Sequence, residues 1–138
     1  MTTNDLQHPV RTLMSSPVQT VDYAEPAADA ARTLCRNDIG SLVVVDDGLV
    51  GIIAEGDFKR AVGAERDLDR ATVGQLMSES VVTIEADETI ETACDRMHSN
   101  DVKRLVVTDD GASVGIVTTT DVTHWLAPTL EEVIQTFQ

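Results

Sequence analysis

Two hydrophobic rhythms alternate along the chain, and the same succession of them occurs twice. A short apolar stretch, Val18 to Val21, comes before Ala27, Ala30, Ala31 and Leu34, whose spacing predicts a helix. Two apolar runs follow, Leu42 to Val45 and Leu49 to Ala54. They are joined through Asp46-Asp47-Gly48, where Asp-Gly supplies the positive φ angles of a tight hairpin. The second round runs from Val81 to Ile84, then through Ile90, Ala93, Cys94 and Met97, then Leu105 to Thr108, Asp109-Asp110-Gly111 and Val114 to Thr118. A last short helix is expected to start near Asp57 in the first round and near Asp121 in the second. Pro26 suits a first helical position, and Asp87 or Thr89 is the candidate cap of the second long helix.

This is an internal duplication. Residues 11–48 lie on 74–111 at an offset of 63 and residues 49–60 on 113–124 at an offset of 64, with Ala112 as the single gap. Direct counting gives 19 identities over the 50 aligned positions, among them Leu13-Met14-Ser15 with Leu76-Met77-Ser78. The predicted fold class is mixed α/β (α+β), two tandem β-α-β-β-α units. The runs Leu42-Val43-Val44-Val45 and Gly115-Ile116-Val117 read as strands buried on both faces. Each copy of about 60 residues covers such strands poorly alone. The expected arrangement therefore docks the two sheets about a pseudo-twofold axis, with helices outside and related clefts between the copies. The domain reading is repeat 1 over 10–63, a linker over 64–72, repeat 2 over 73–127 and a tail over 128–138. Leu130 to Phe137 form a tail helix that either contacts a partner or closes the domain.

Charge narrows the function classes. Ten Lys and Arg stand against 24 Asp and Glu, a net charge of −14, and so acidic a surface repels nucleic acid and anionic membranes. Only Lys59 and Lys103 accompany eight arginines, a composition like that of a cytoplasmic protein from a halophilic archaeon. Cys35 and Cys94 sit within apolar helical patterns without a partner at metal or redox spacing, as reduced core thiols do. No apolar run approaches the roughly 20 residues of a membrane helix, and Met1 to His8 lack a signal core. The expectation is a soluble cytoplasmic protein.

Leu-Met-Ser ahead of the first strand, Leu-Val-Val-Val-Asp-Asp-Gly in the hairpin and Gly-Ile-Val-Thr-Thr-Thr-Asp-Val closing the second copy resemble a tandem CBS domain pair, over about residues 10 to 127. The resemblance implies a stand-alone, non-enzymatic regulatory module. Such a module senses AMP, ADP, ATP or S-adenosylmethionine in the cleft between the repeats, and it dimerises into a disc of four repeats. It places the ribose-binding carboxylate at Asp121 and a hydroxyl at Thr118. At this strand-to-helix junction a carboxylate can accept from both ribose hydroxyls, and helix-start N–H groups can meet phosphate. Thr119 and Thr120 belong to the same junction. Lys103 and Arg104 stand where family members carry phosphate contacts; read as ordinary residues, they are solvated strand-end charges pairing with local acids. The adenine contacts are expected from Pro17, Val18, Ile39 and Gly40. Two cations favour a phosphorylated ligand over the sulfonium of S-adenosylmethionine.

The first copy departs from this pattern: Asp57 is retained, but Ala54, Gly56 and Gly40-Ser41 stand where the second copy has Thr118, Thr120 and Lys103-Arg104. A second, weaker site of Asp57, Val81, Val82 and Val102 is expected to bind feebly or stay empty, with Asp57 alternatively a simple helix cap. Catalytic groups do not assemble: His8 lies in a frayed N-terminus, His98 ends a helix, His124 follows Asp121 by one turn, and Trp125 reads as a packing or dimer-contact residue. No cofactor is required and no dedicated metal cage is present; a polyphosphate ligand brings its own magnesium ion. The competing reading is a dimerisation scaffold with vestigial clefts, and a nucleotide-transforming enzyme is the third.

Overall fold

The computed structural model describes residues 6–127, so the tail reading over 128–138 lies outside the described residues. The elements run as two three-stranded sheets with five α-helices, which is the mixed α+β class expected. In the first repeat these are β1 (Thr20–Asp22), α1 (Ala27–Asn37), β2 (Ser41–Val45), β3 (Leu49–Ala54) and α2 (Glu55–Gly63). After α3 (Val73–Leu76) come β4 (Thr83–Glu85), α4 (Ile90–Ser99), β5 (Arg104–Asp109), β6 (Ala112–Thr118) and α5 (Thr119–Leu126). Sheet orders are β1-β2-β3 and β4-β5-β6, each pairing its first two strands parallel and its last two antiparallel. Among the described residues no helix is long and apolar enough to cross a membrane.

The hairpins follow from their sequence. Asp47 and Gly48 take φ of 56° and 120°, and Asp110 and Gly111 take 54° and 83°, the left-handed pairs that Asp-Gly tolerates. Ala112 is absorbed as one more rung, pairing with Asp109 beyond Thr108↔Ser113, whereas the first hairpin ends at Val45↔Leu49. Three successive residues are buried in each central strand, Leu42 to Val44 and Leu105 to Val107, so both faces of β2 and β5 are covered. Each such side chain contributes about 1.5–3 kcal/mol relative to exposure.

Three local expectations are corrected. The first strands start later than Val18 and Val81, because parallel pairing runs only from Thr20↔Val43 to Asp22↔Val45 and from Thr83↔Val106 to Glu85↔Thr108. Pro26 is the N-cap and not the first helical residue; its carbonyl accepts the Asp29 and Ala30 N–H groups. Cys35 is exposed, one position past buried Leu34 and so turned off the apolar stripe, while Cys94 is half-buried; both are free thiols. Thr89 caps α4 by accepting the Thr92 N–H at 3.1 Å.

The compact units are cut differently from the sequence repeats. One unit is residues 17–81; the other joins residues up to Ser16 to those from Val82 onward. In the latter, Val10 N–H donates to the Glu88 carbonyl (2.8 Å) and Ile90 N–H to that of His8 (2.9 Å). In the 17–81 unit the equivalents recur: Val73 N–H to the Glu25 carbonyl (2.8 Å) and Ala27 N–H to that of Ala71 (2.8 Å). Each sheet thus packs against the Leu-Met-Ser segment that belongs, by sequence, to the other copy. Met14 lies over Gly115 and Met77 over Gly51, where a Cβ would meet sulfur at 2.6 and 2.5 Å. His8 is consequently ordered and not frayed. Its ring meets Trp125 edge-on at 5.4 Å between centroids, and Trp125 packs against the core of its own unit.

Candidate functional site

β6 ends and α5 begins at Thr118-Thr119, and the turn is fixed by a reciprocal capping box. Thr118 Oγ1 accepts the Asp121 N–H at 3.1 Å, and Asp121 Oδ2 accepts the Thr118 N–H at 2.9 Å. Asp121 is therefore held rigidly through one oxygen, while Oδ1 has no partner among the described residues. The Thr118 hydroxyl accepts in this box and keeps its own proton to donate. Thr119 and Thr120 are exposed. Of the first three helical N–H groups, that of Thr119 goes to the Lys103 carbonyl at 3.1 Å and that of Asp121 to Thr118. Only the Thr120 N–H is left without a partner among the described residues. The helix start therefore offers one backbone donor and hydroxyls, fewer than its sequence suggests.

That Thr119-to-Lys103 bond and the Arg104↔Thr118 pairing bring the two cations alongside the junction. Lys103 is exposed and Arg104 half-buried. Neither forms an ion pair among the described residues, although acidic side chains are abundant. The alternative reading of the pair, as strand-end charges neutralising local acids, finds no such ion pair among the described residues. In this chemistry one carboxylate oxygen and hydroxyl donors stand beside two unneutralised cations, an arrangement suited to a ligand with a vicinal diol and an anionic group.

The first repeat builds the same turn with different chemistry. Glu55 N–H donates to the Gly40 carbonyl at 3.1 Å, the counterpart of Thr119 to Lys103. Asp57 Oδ2 accepts the Ala54 N–H at 2.8 Å, but Oδ1 is taken by Arg60 Nη2. The Asp57 side chain is only 9% exposed. Sequence reasoning missed Arg60, although the Asp-x-x-Arg spacing on a helix signals an i, i+3 pair. In the second repeat the equivalent position is His124, which makes no bond to Asp121.

The sequence profile of the CBS domain family matches residues 10–64 and 73–128. This chain belongs to the CBS domain family. The CBS pair is 33% identical over 128 residues to an uncharacterized protein, MK0525, of Methanopyrus kandleri, covering 88% of this chain but 65% of that protein. Hypoxic response protein 1 of Mycobacterium tuberculosis is 30% identical over 119 residues, covering 84% of this chain and 83% of that one. The crystal structure of the CBS domain pair of protein MJ0100, in complex with 5′-methylthioadenosine and S-adenosyl-L-methionine, superposes with a TM-score of 0.73 at 28% identity. It covers 84% of this chain and 93% of that one.

The remaining expected contacts are distributed over both units of the CBS pair. Pro17 is exposed and Val18 half-buried ahead of β1; Ile39, half-buried, packs on the core of its own unit. For the weaker set, Val82 receives the Val106 N–H on its carbonyl at 3.0 Å, Val102 donates to Met97 at 3.0 Å, and Val81 is half-buried. A groove of about 390 Å³ between α4 and α5 is lined by Cys94, Met97, His98, Asp101, Val102, Thr119, Val122 and Thr123. It excludes Asp121, Lys103 and Arg104 and is a separate feature. Burial, with Asp95 nearby, pushes the Cys94 thiol pKa up, which disfavours its thiolate form. Among the described residues no three His, Cys, Asp or Glu groups gather to hold a metal.

Proposed function

We propose that this CBS pair is a regulatory module that binds a phosphorylated adenosine compound, AMP, ADP or ATP, at the junction carrying Asp121. The observation that carries the reading is a carboxylate locked by its own capping box whose Oδ1 has no partner among the described residues, beside two cations with no counter-ion among those residues. Oδ1 accepts from the ribose hydroxyls, the Thr118 and Thr120 hydroxyls and the Thr120 N–H donate to phosphate, and Lys103 and Arg104 neutralise it. Any magnesium arrives with the polyphosphate. The protein is proposed to act as a cytoplasmic homodimer of four CBS repeats and to pass occupancy to a partner protein. The complex of the MJ0100 pair with two adenosine derivatives supports an adenosine-type ligand; the paired cations favour phosphate over a sulfonium, which they repel.

Asp121→Asn tests this, because asparagine retains a carbonyl oxygen for the Thr118 N–H and loses the charged acceptor. Binding of AMP or ATP, followed by isothermal titration, is expected to weaken at least tenfold, about 1.4 kcal/mol, with little change in melting temperature. Unchanged affinity contradicts the assignment. A dimerisation scaffold with vestigial clefts, the competing reading, predicts a folded dimer that gives no heat with any of these compounds.

A further inference from the structure

We infer that Arg60 is the internal occupant of the first repeat's junction carboxylate, and that the residue three places after the aspartate decides which repeat accepts a ligand. The inference rests on the reading of Asp121 as a ribose acceptor and deepens it. Asp57 and Asp121 sit in equivalent capping turns, each giving Oδ2 to the N–H three residues before it. They differ at Oδ1, which Arg60 Nη2 fills in the first repeat and no described residue fills in the second. A guanidinium on a carboxylate that is 9% exposed is a charge-assisted hydrogen bond, stronger than one from a neutral hydroxyl. A ribose diol must displace it.

A second difference bears on the contact. A Cβ on Gly56 would lie 3.3 Å from Arg60 Nη1, so a side chain there would press on the guanidinium and move it by a few tenths of an ångström, and glycine leaves the arginine unhindered over the turn. The second repeat has Thr120 in place of Gly56 and His124 in place of Arg60. One repeat is therefore built to satisfy its aspartate from within, and the other leaves it for a guest.

The test exchanges these residues. In Arg60→His, titration with adenosine, which asks nothing of the phosphate contacts the first repeat lacks, is expected to show a second site, raising the stoichiometry from one to two per chain, and the added Asp57→Asn change should remove it. In His124→Arg, affinity at the second repeat's site should fall about tenfold. Stoichiometry of one in Arg60→His, or undiminished affinity in His124→Arg, overturns the inference. Ligand-free labelling separates it from the nucleotide reading itself. With a carbodiimide and glycine ethyl ester, followed by peptide mass spectrometry, Asp121 should label severalfold faster than Asp57, and Arg60→His should bring Asp57 up to it. Equal labelling in the unaltered protein overturns the latch; labelling as expected without nucleotide binding overturns only the nucleotide reading.

Discussion

The junction of the second repeat keeps a carboxylate oxygen and two cations that no described residue pairs with, while the equivalent junction of the first closes on itself through Arg60. Around both, the scaffold is nearly superimposable in its bonding. Backbone pairs recur at the repeat offset, both hairpins turn through an Asp-Gly pair at positive φ, and both ladders shift register after the third buried residue. Duplication has preserved what the backbone requires, and divergence has fallen on side chains at the turn. A second contrast has the same form. Glu88 is gripped by both Arg96 nitrogens at 3.0 Å, and that bonding draws its pKa down. Glu25, its counterpart, has Thr33 at the arginine's place in the repeat; burial first, then Asp29 and Asp22, raise its pKa.

The largest effect is expected where the repeats agree. Gly51→Ala and Gly115→Ala force a Cβ to within 2.7 and 2.9 Å of the Ser78 and Ser15 carbonyl oxygens, which backbone cannot yield without losing the bridges at Ile52 and Ile116. Each is expected to destabilise by about 1–3 kcal/mol in urea unfolding. Near-equal losses sustain the equivalence of the two docked segments, and a loss in one variant alone breaks it.

Glu88→Gln comes next. A carboxylate with a lowered folded pKa adds stability above its ordinary value of about 4.3, and that stability is lost as pH falls through the lower, folded value. With both partners about one-third exposed, the loss in the variant should be about 0.5–1 kcal/mol at pH 7, smaller in high salt, and vanish in strong acid. Glu25→Gln should do the reverse. A raised carboxyl pKa favours the folded state below the ordinary value and loses that advantage as pH rises through the folded one. Removing the charge should therefore stabilise at pH 7, by about 0.5 kcal/mol or less. Urea midpoints moving the same way in both variants would contradict the contrast.

Sequence legibility follows the same division. Asp-Gly turns and the apolar runs of β2 and β5 are local, and each was readable from residues a few places apart; the capping box of Thr118 and Asp121 is as local but was read only as ligand chemistry, with the helix start placed near Asp121. The exchange of Leu13-Met14-Ser15 and Leu76-Met77-Ser78 between units was not, because either sheet presents the same glycine and the same bonding edge. The exposure of Cys35 shows the limit of a loosely read apolar helix: one position is a turn of about 100°. Gly56 looked like a missing hydroxyl, and only the fold shows that Arg60 Nη1 lies 3.3 Å from where its Cβ would be.

The most direct test of the central claim is isothermal titration of the unaltered protein with AMP, ADP, ATP and S-adenosylmethionine. The account predicts one site per chain, tighter for the phosphorylated compounds than for S-adenosylmethionine. Tighter binding of S-adenosylmethionine, two equal sites per chain, or no heat from folded protein with any of the four would contradict it.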